Sequence, residues 1–127
     1  MSASTKTVLI VEDNELNLRL LNDILQASGY QTLKTSDGNE AIALAEEHRP
    51  DLILMDMHLH GVSGLETTKI LKGRDDLKSI PVVAVTASAL RGDEEKILAE
   101  GCDGFIAKPI SISHFLATVA RFLDAET

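Results

Sequence analysis

The stretch that decides the fold is LILM at residues 52–55, which is followed directly by Asp56. A run of four apolar residues without polar alternation is typical of a strand buried on both faces of a parallel sheet. The mostly polar QTLKT at residues 31–35 predicts instead a strand at a sheet edge. The other runs that predict buried strands are TVLIV at 7–11, VVAV at 82–85 and GFIA at 104–107.

Amphipathic helical patterns separate these runs and follow the last one. The first helix has apolar residues at helical spacing, namely Leu16, Leu20, Leu21, Ile24 and Leu25. Further helices are expected from about residues 38, 64, 90 and 111. Strict alternation of strand and helix predicts an α/β fold: a doubly wound, five-stranded parallel sheet in the order 2-1-3-4-5, flanked by five helices and flavodoxin-like.

The composition of the 127 residues fits one soluble domain, with 44% hydrophobic and 25% charged residues. The formal net charge of −8 argues against nucleic acid or an acidic membrane surface as a partner, because both are anionic. Cys102 is the single cysteine, so no internal disulfide can form, and we expect it in the core. Without a signal core or an apolar run near ~20 residues, we expect a cytoplasmic protein without membrane insertion.

The residues that directly follow the predicted strands predict the functional site. In this strand order the topological switch point, where the order of successive strands across the sheet reverses, lies between strands one and three. Ligands bind there, outside the carboxyl ends of the strands. Glu12 and Asp13 follow strand one, Asp56 ends strand three, Thr86 follows strand four, and Lys108 follows strand five. Three crowded carboxylates repel one another, and a divalent cation with oxygen ligands, above all Mg²⁺, removes that repulsion. A hydroxyl and a lysine suit a phosphoryl group.

Each of these residues also has a purely structural interpretation. An acid or amide directly after a strand is often a helix N-cap, and Asp13 or Asn14 could serve in that way. Separate caps do not account for acids after two strands, a hydroxyl after the next and a lysine after the last. We therefore interpret the set as functional.

Four sequence blocks cover nearly the whole chain: VLIVEDN at 8–14, DLILMDM at 51–57, PVVAVTA at 81–87 and GFIAKPI at 104–110. They resemble the signature blocks of response-regulator receiver domains and stand in the order of that family. The resemblance implies one receiver domain over residues 1–127, with a core at about 6–123 and no output domain. Within the family, the match is to single-domain receivers of cell-division control.

The resemblance implies a role for each site residue. Asp56 matches the phosphoacceptor, which takes a phosphoryl group from a phosphohistidine or a small phosphodonor. Glu12, Asp13 and Asp56 match the carboxylates that hold Mg²⁺, and His58 matches the position that adds its backbone carbonyl. Lys108 matches the lysine that contacts a phosphoryl oxygen.

Thr86 and Phe105 match the switch pair of the family. Thr86 would bond the phosphoryl group after transfer, and Phe105 would then swing inward. A plain core role for Phe105 in strand five is the alternative. The implied output surface consists of the fourth predicted helix, strand five and the last helix, where phosphorylation biases a two-state equilibrium that a partner reads.

The implied partners are histidine kinases, with phosphotransfer proteins as further candidates. We expect a monomer that kinase partners can recruit to the cell pole. The chain is not expected to be an enzyme for external substrates, since it would catalyse only its own phosphorylation and dephosphorylation.

Three residues depart from the family pattern or vary within it. His60 stands where the family usually has proline, and His58 and Ser88 occupy variable positions that tune loss of the phosphoryl group. A histidine two residues past an aspartyl phosphate can order or exclude the attacking water. We therefore hypothesise that His58→Asn changes the decay rate of the phosphoprotein; a solvated loop histidine without a role is the alternative.

Three other classes of protein compete with a phosphorylated receiver. A phosphatase with an aspartate nucleophile has a second acid two residues later, where this chain has His58. A nucleotide or flavin binder needs a Gly/Ser/Thr-rich loop after strand one, where this chain has the acidic Glu12-Asp13-Asn14. A pseudo-receiver, which binds partners without phosphorylation, fits poorly with the full set of acids, hydroxyl and lysine and stays open as the alternative.

Overall fold

Strands and helices alternate along the chain in the predicted order. A computed structural model describes residues 6–57, 63–86, 98–99, 101–107 and 110–123. Its strands are β1 (Thr7–Val11), β2 (Gln31–Thr35), β3 (Leu52–Asp56), β4 (Val82–Thr86) and β5 (Gly104–Ala107). Its helices are α1 (Glu15–Ala27), α2 (Gly38–His48), α3 (Gly64–Lys72) and a C-terminal helix (Ile112–Leu123).

The fourth predicted helix, at about residues 90–100, lies outside the described residues except for 98–99, which are helical. In the part of the chain that the structure describes, no helix has the length and apolar character needed to cross a membrane.

The five strands form one parallel sheet in the order β2-β1-β3-β4-β5, which confirms the predicted fold. The polar strand β2 lies at an edge, as its composition predicts. Val11 of β1 pairs with Met55 of β3, and Asp56 pairs with Val85 of β4. The carboxyl ends of these three neighbouring strands therefore meet at one edge of the sheet.

Two hydrophobic clusters fill the two faces of the sheet. Successive strand residues alternate between them, so Leu9 and Ile53 belong to one cluster and Val8 and Leu52 to the other. Every residue of β3 and β4 is buried, which explains their unbroken apolar sequence. Helices α2 and α3 cover the first cluster through Ala41, Ala45 and Leu71; α1 and the C-terminal helix cover the second through Leu21, Leu25, Phe115 and Val119.

Only part of the predicted apolar face of α1 is buried. Leu21 and Leu25 are in the core, whereas Leu16 and Leu20 are 78% and 40% exposed. Asn22 is buried instead, and its Oδ1 accepts a hydrogen bond of 2.6 Å from a hydroxyl of β2. Helix α1 packs against β2, which is an edge strand of the sheet, and against its neighbour β1. It therefore buries only the side that faces these two strands. The predicted apolar face of α1 is therefore wider than the side that is buried, and Leu16 and Leu20 lie on its exposed part.

Cys102 is 5% exposed, which confirms its predicted place in the core. Its Sγ lies 4.0 Å from the hydroxyl oxygen of Thr68 in α3. The thiol therefore packs in the first hydrophobic cluster, next to α3.

Candidate active site

Glu12, Asp13 and Asp56 come together where β1 and β3 end. Each offers one carboxylate oxygen, and these three oxygens lie within 4.8 Å of one another. Glu12 and Asp56 are 1% and 2% exposed, and Asp13 is half-buried. The structure thus brings together the three acids that the sequence analysis assigned to a cation site.

Hydrogen bonds of the sheet hold the backbone of the two buried acids. The N–H of Glu12 donates to the carbonyl of Thr35 at 3.0 Å, which continues the pairing of β1 with β2 beyond the end of β1. The N–H of Met57 donates to the carbonyl of Val85 at 3.2 Å on the other side. Glu12 Oε2 also accepts a hydrogen bond of 3.2 Å from the N–H of Asn14. Hydrogen bonds to neighbouring strands therefore fix the backbone from which both carboxylates project.

Asn14 is the residue that caps α1. It has extended backbone angles, with φ −89° and ψ 117°, and its Oδ1 accepts a hydrogen bond of 3.0 Å from the N–H of Asn17. This satisfies one of the free N–H groups in the first turn of the helix. The cap interpretation therefore applies to Asn14, and Asp13 belongs with the carboxylate cluster.

The donor set fits a hard divalent cation. Three carboxylate oxygens within 4.8 Å concentrate negative charge where two of the side chains are almost inaccessible to solvent. Water screens repulsion poorly at such positions, so a bound cation offsets it more effectively. Mg²⁺ prefers oxygen ligands and combines carboxylates with retained waters, so a group of carboxylate oxygens of this kind suits it.

Thr86 ends β4 at the same edge of the sheet and is 1% exposed. Its neighbour Val85 pairs with Asp56, so Thr86 lies one residue beyond Asp56 on the adjacent strand. On its other side, Thr86 pairs with Ala107 of β5. The predicted hydroxyl therefore stands at the same edge as the acids, between β3 and β5.

Phe105 lies in β5, where it pairs with Ala84 and is half-buried. It packs against the hydrophobic cluster that α2 and α3 cover. A half-buried aromatic side chain is compatible with the predicted switch role and with the alternative core role. The switch role of Phe105 stays a prediction.

Several predicted positions fall on residues that the structure does not describe. They include Lys108, the predicted phosphoryl contact, and His58, the predicted carbonyl ligand. His60 and Ser88 lie outside the described residues as well. The roles assigned to these four residues stay predictions.

Gly64, the first residue of α3, packs against the backbone of Asp56, which the sequence analysis did not anticipate. A Cβ added to Gly64 would lie 2.1 Å from the carbonyl oxygen of Asp56 and 2.8 Å from Cα of Met57. The sequence carries only a weak signal for this contact, because glycine near a helix start is common for other reasons. The close approach follows from the fold and not from a local pattern.

Comparison with protein families gives a match over residues 8–120 to the response regulator receiver domain. A curated relative from Brucella anthropi, the polar-differentiation response regulator DivK, is 58% identical over 118 residues, which span 93% of this chain and 96% of the relative. The DivK protein of Brucella ovis is 56% identical over 119 residues, spanning 94% of this chain and 97% of the relative.

Solved structures resemble this chain over nearly its whole length. One is the receiver domain of a sensor histidine kinase from Pseudomonas aeruginosa, with a magnesium ion coordinated in its active site cleft. It is 31% identical, has a TM-score of 0.87, and the match covers 95% of this chain and 99% of that one. Chemotaxis protein CheY4 of Vibrio cholerae is 28% identical, with a TM-score of 0.88, and the match covers 94% and 100%.

Proposed function

This chain belongs to the response regulator receiver domain family, and we propose that it accepts a phosphoryl group on Asp56 in the presence of Mg²⁺. The observation that carries the proposal is the group of three carboxylates, within 4.8 Å of one another, at the edge where β1 and β3 end. The magnesium in the cleft of the Pseudomonas aeruginosa receiver supports the metal for the family.

In the proposed reaction, a carboxylate oxygen of Asp56 attacks the phosphorus of the donor. An O–P bond forms, and the bond from phosphorus to the donor's imidazole nitrogen or acetyl oxygen breaks, with its electron pair leaving on the donor. Hydrolysis later returns the carboxylate, as water attacks phosphorus and inorganic phosphate leaves. The chain thus catalyses only its own phosphorylation and dephosphorylation.

The remaining site residues position the phosphoryl group and balance its charge. Glu12, Asp13 and Asp56, with the backbone carbonyl of His58, would hold Mg²⁺. When bound, Mg²⁺ neutralises charge on the transferring oxygens. Lys108 would contact one of these oxygens, and phosphoryl transfer needs little from the protein beyond such positioning and neutralisation.

The signal would pass from the site to partners by a shift between two conformations. Thr86 would bond the new phosphoryl group, and Phe105 would move inward behind it, which changes the surface near β5. Histidine kinases, and phosphotransfer proteins as a second class, are the proposed donors and partners. We propose that the chain acts as a single domain with its core at about residues 6–123, as a cytoplasmic monomer without a nucleic-acid partner.

The proposed process is cell-cycle and cell-division control, with recruitment to the cell pole by kinase partners. Support comes from two Brucella relatives named as polar-differentiation response regulators, 56% and 58% identical to this chain. The match spans 96% and 97% of their own lengths, so the likeness is not confined to one segment. The alternative function is a pseudo-receiver that binds partners without phosphorylation.

Labelling with a small phosphodonor tests the proposal. The wild-type protein is incubated with acetyl phosphate, with and without Mg²⁺, beside Asp56→Asn. We expect an alkali-labile phosphoprotein that forms only with Mg²⁺ and is lost in Asp56→Asn, because an amide cannot serve as the nucleophile.

Asp51→Asn is the matched control, because Asp51 precedes the same strand at its opposite end. There its Oδ2 accepts a hydrogen bond of 2.8 Å from the N–H of Thr7, outside the carboxylate cluster. This variant should be labelled like the wild type. Folded wild-type protein that takes up no label with Mg²⁺ present would support the pseudo-receiver instead.

A further inference from the structure

We propose that Gly64 is a positioning residue for phosphoryl transfer, an inference that rests on the proposed function of Asp56. Because Gly64 has no side chain, α3 can begin directly against the peptide that joins Asp56 to Met57. That contact would fix the direction in which the Asp56 carboxylate leaves the backbone. Gly64 itself touches neither the donor nor the metal in this scheme.

The Asp56–Met57 peptide is held from two sides. On the side of the sheet, the N–H of Met57 donates to the carbonyl of Val85 at 3.2 Å. On the side of α3, a Cβ on Gly64 would lie 2.1 Å from the Asp56 oxygen and 2.9 Å from its carbonyl carbon. The atoms that an added Cβ would meet all belong to the backbone, so no flexible side chain can move away to relieve the clash.

The first turn of α3 is held together by its own hydrogen bonds and is packed into the interior. Ser63 and Glu66 form a capping box, with Ser63 Oγ accepting from the N–H of Glu66 at 3.1 Å. The hydroxyl of Thr67 donates to the carbonyl of Ser63 at 2.9 Å, and that of Thr68 donates to the carbonyl of Gly64 at 2.8 Å. Both threonines are 0% exposed. Because this turn is internally hydrogen-bonded and its threonines are buried, a larger residue at position 64 would displace the Asp56–Met57 peptide and not only α3.

A methyl group at residue 64 must move these backbones apart by about 1 Å, since Cβ contacts below 3.0 Å are essentially never seen. Displacement of the Asp56 peptide carries its carboxylate away from Glu12 and Asp13. A misplacement of about 1 Å lowers the rate of an enzyme-type reaction by about 10²-fold. Alanine is otherwise the better helix former, so without this contact the substitution would favour α3.

The test compares Gly64→Ala with Gly73→Ala. Gly73 caps the other end of α3 with φ −85°, and a Cβ there would meet Lys69 O at 3.2 Å, far milder than at Gly64. Initial rates of phosphorylation by acetyl phosphate are measured at saturating Mg²⁺ and donor, and the folded fraction is measured by circular dichroism. We expect Gly64→Ala to be about 10–100-fold slower and Gly73→Ala to match the wild type.

Mg²⁺ binding by calorimetry gives a readout that does not depend on phosphorylation. Gly64→Ala should bind Mg²⁺ more weakly than both the wild type and Gly73→Ala. If the wild type binds Mg²⁺ but takes up no label, the proposed function fails. Weaker Mg²⁺ binding by Gly64→Ala would then still show that Gly64 positions the Asp56 carboxylate, though not for phosphoryl transfer.

Three results would overturn the inference: labelling of Gly64→Ala at the wild-type rate, equal losses in both glycine variants, or unchanged Mg²⁺ binding. Should Gly64→Ala not fold, Thr68→Val removes the hydroxyl that anchors the Gly64 carbonyl and nearly preserves side-chain volume. A severalfold slower labelling of folded Thr68→Val supports the positioning role, and a wild-type rate overturns it.

Discussion

Asp13 is the residue whose replacement best separates repulsion within the site from metal binding. One of its carboxylate oxygens lies within 4.8 Å of a carboxylate oxygen of each of the two other acids, and Asn14 rather than Asp13 caps α1. Asp13→Asn should raise the free energy of unfolding without divalent cations by on the order of 1 kcal/mol, because it removes like-charge repulsion near the surface. Urea unfolding in EDTA measures this gain.

The same variant should lose the stabilisation that Mg²⁺ gives. A ligand that binds only the folded state adds about 2.7 kcal/mol at a concentration of 100 Kd, so wild-type protein should become clearly more stable with Mg²⁺. Asp51→Asn, which changes an acid outside the cluster, should keep the full Mg²⁺ effect. Equal Mg²⁺ stabilisation of Asp13→Asn and wild type would count against Asp13 as a ligand.

At this scale, the sequence predicted the site where strand order alone decides which residues meet. Glu12, Asp13 and Asp56 follow directly from the ends of two neighbouring strands, and Thr86 from the end of a third. Gly64 could not be predicted in the same way. Its proposed role rests on the close approach of its backbone to Asp56, where an added Cβ would lie 2.1 Å from the carbonyl oxygen. No spacing in the sequence encodes such a distance.

Among the elements, α3 depends on its N-terminal cap. Ser63 Oγ accepts from the N–H of Glu66 at 3.1 Å, and Glu66 Oε1 accepts from the N–H of Ser63 at 3.4 Å. Ser63→Ala removes the first of these hydrogen bonds, because the second is donated by backbone, and should lower the free energy of unfolding by about 0.5–2 kcal/mol. Urea or thermal unfolding of the purified variant measures the loss.

Ser63→Asp is the rescue control, because aspartate caps helices about as well as serine. It should recover most of the stability lost in Ser63→Ala and add a favourable charge at the start of the helix. If alanine and aspartate at residue 63 gave the same stability, the capping box would have no measurable role.

The sequence predicted the order of the helices and strands better than it predicted which of their side chains are buried. The apolar run LILM correctly predicted β3 as a buried strand, because both of its faces are covered. Asp56 and Thr86 extend β3 and β4 one residue past their apolar runs. The apolar spacing of α1 did not predict which leucines are buried. Leu16 and Leu20 continue that spacing, yet they lie beyond the side of the helix that packs on β1 and β2. Helical periodicity gives the direction of the apolar side, but its width depends on what the helix covers.

At the scale of the whole molecule, Lys72 ties distant segments together at the end of the sheet opposite to Asp56. Its ammonium donates to the carbonyls of Lys78 and Ile80 at 3.1 and 2.9 Å and to Asp103 Oδ2 at 2.8 Å. The same Asp103 oxygen accepts from the N–H of Val82 at 2.8 Å, where β4 begins. Helix α3, the start of β4 and the approach to β5 thus share one cation.

Lys72→Met should therefore be strongly destabilising. The Lys72 side chain is only 19% exposed, and its loss leaves two carbonyls and a carboxylate without a charged donor. Hydrogen bonds to charged groups contribute about 1.5–3 kcal/mol, which is the expected drop in the free energy of unfolding by urea. The rate of labelling of the folded protein should not change, since the site lies at the other edge of the sheet.

Lys78→Met provides the comparison. Its ammonium pairs with Asp75 at 3.3 Å, but the two side chains are 59% and 98% exposed. Exposed pairs of this kind contribute about 0–1 kcal/mol, so this variant should be close to the wild type. Similar losses in the two lysine variants would mean that overall charge, and not the shared contact, sets the stability.

The topology was predictable from the sequence because strict alternation and one polar strand leave few arrangements of a parallel sheet. The Lys72 contact was not, because Lys72 and Asp103 are 31 residues apart and neither belongs to a recognisable motif. Long-range polar contacts depend on the positions that the fold gives to residues that are distant in the sequence. Sequence patterns describe the sheet far better than these contacts.

The polar edge strand β2 has a consequence for how many copies of the protein a cell can hold. Gln31 and Lys34 are exposed there, and charged or polar side chains on an outer strand discourage edge-to-edge association. The hydrophilic outer strand should therefore let the protein reach high abundance without polymerising through this edge of its sheet.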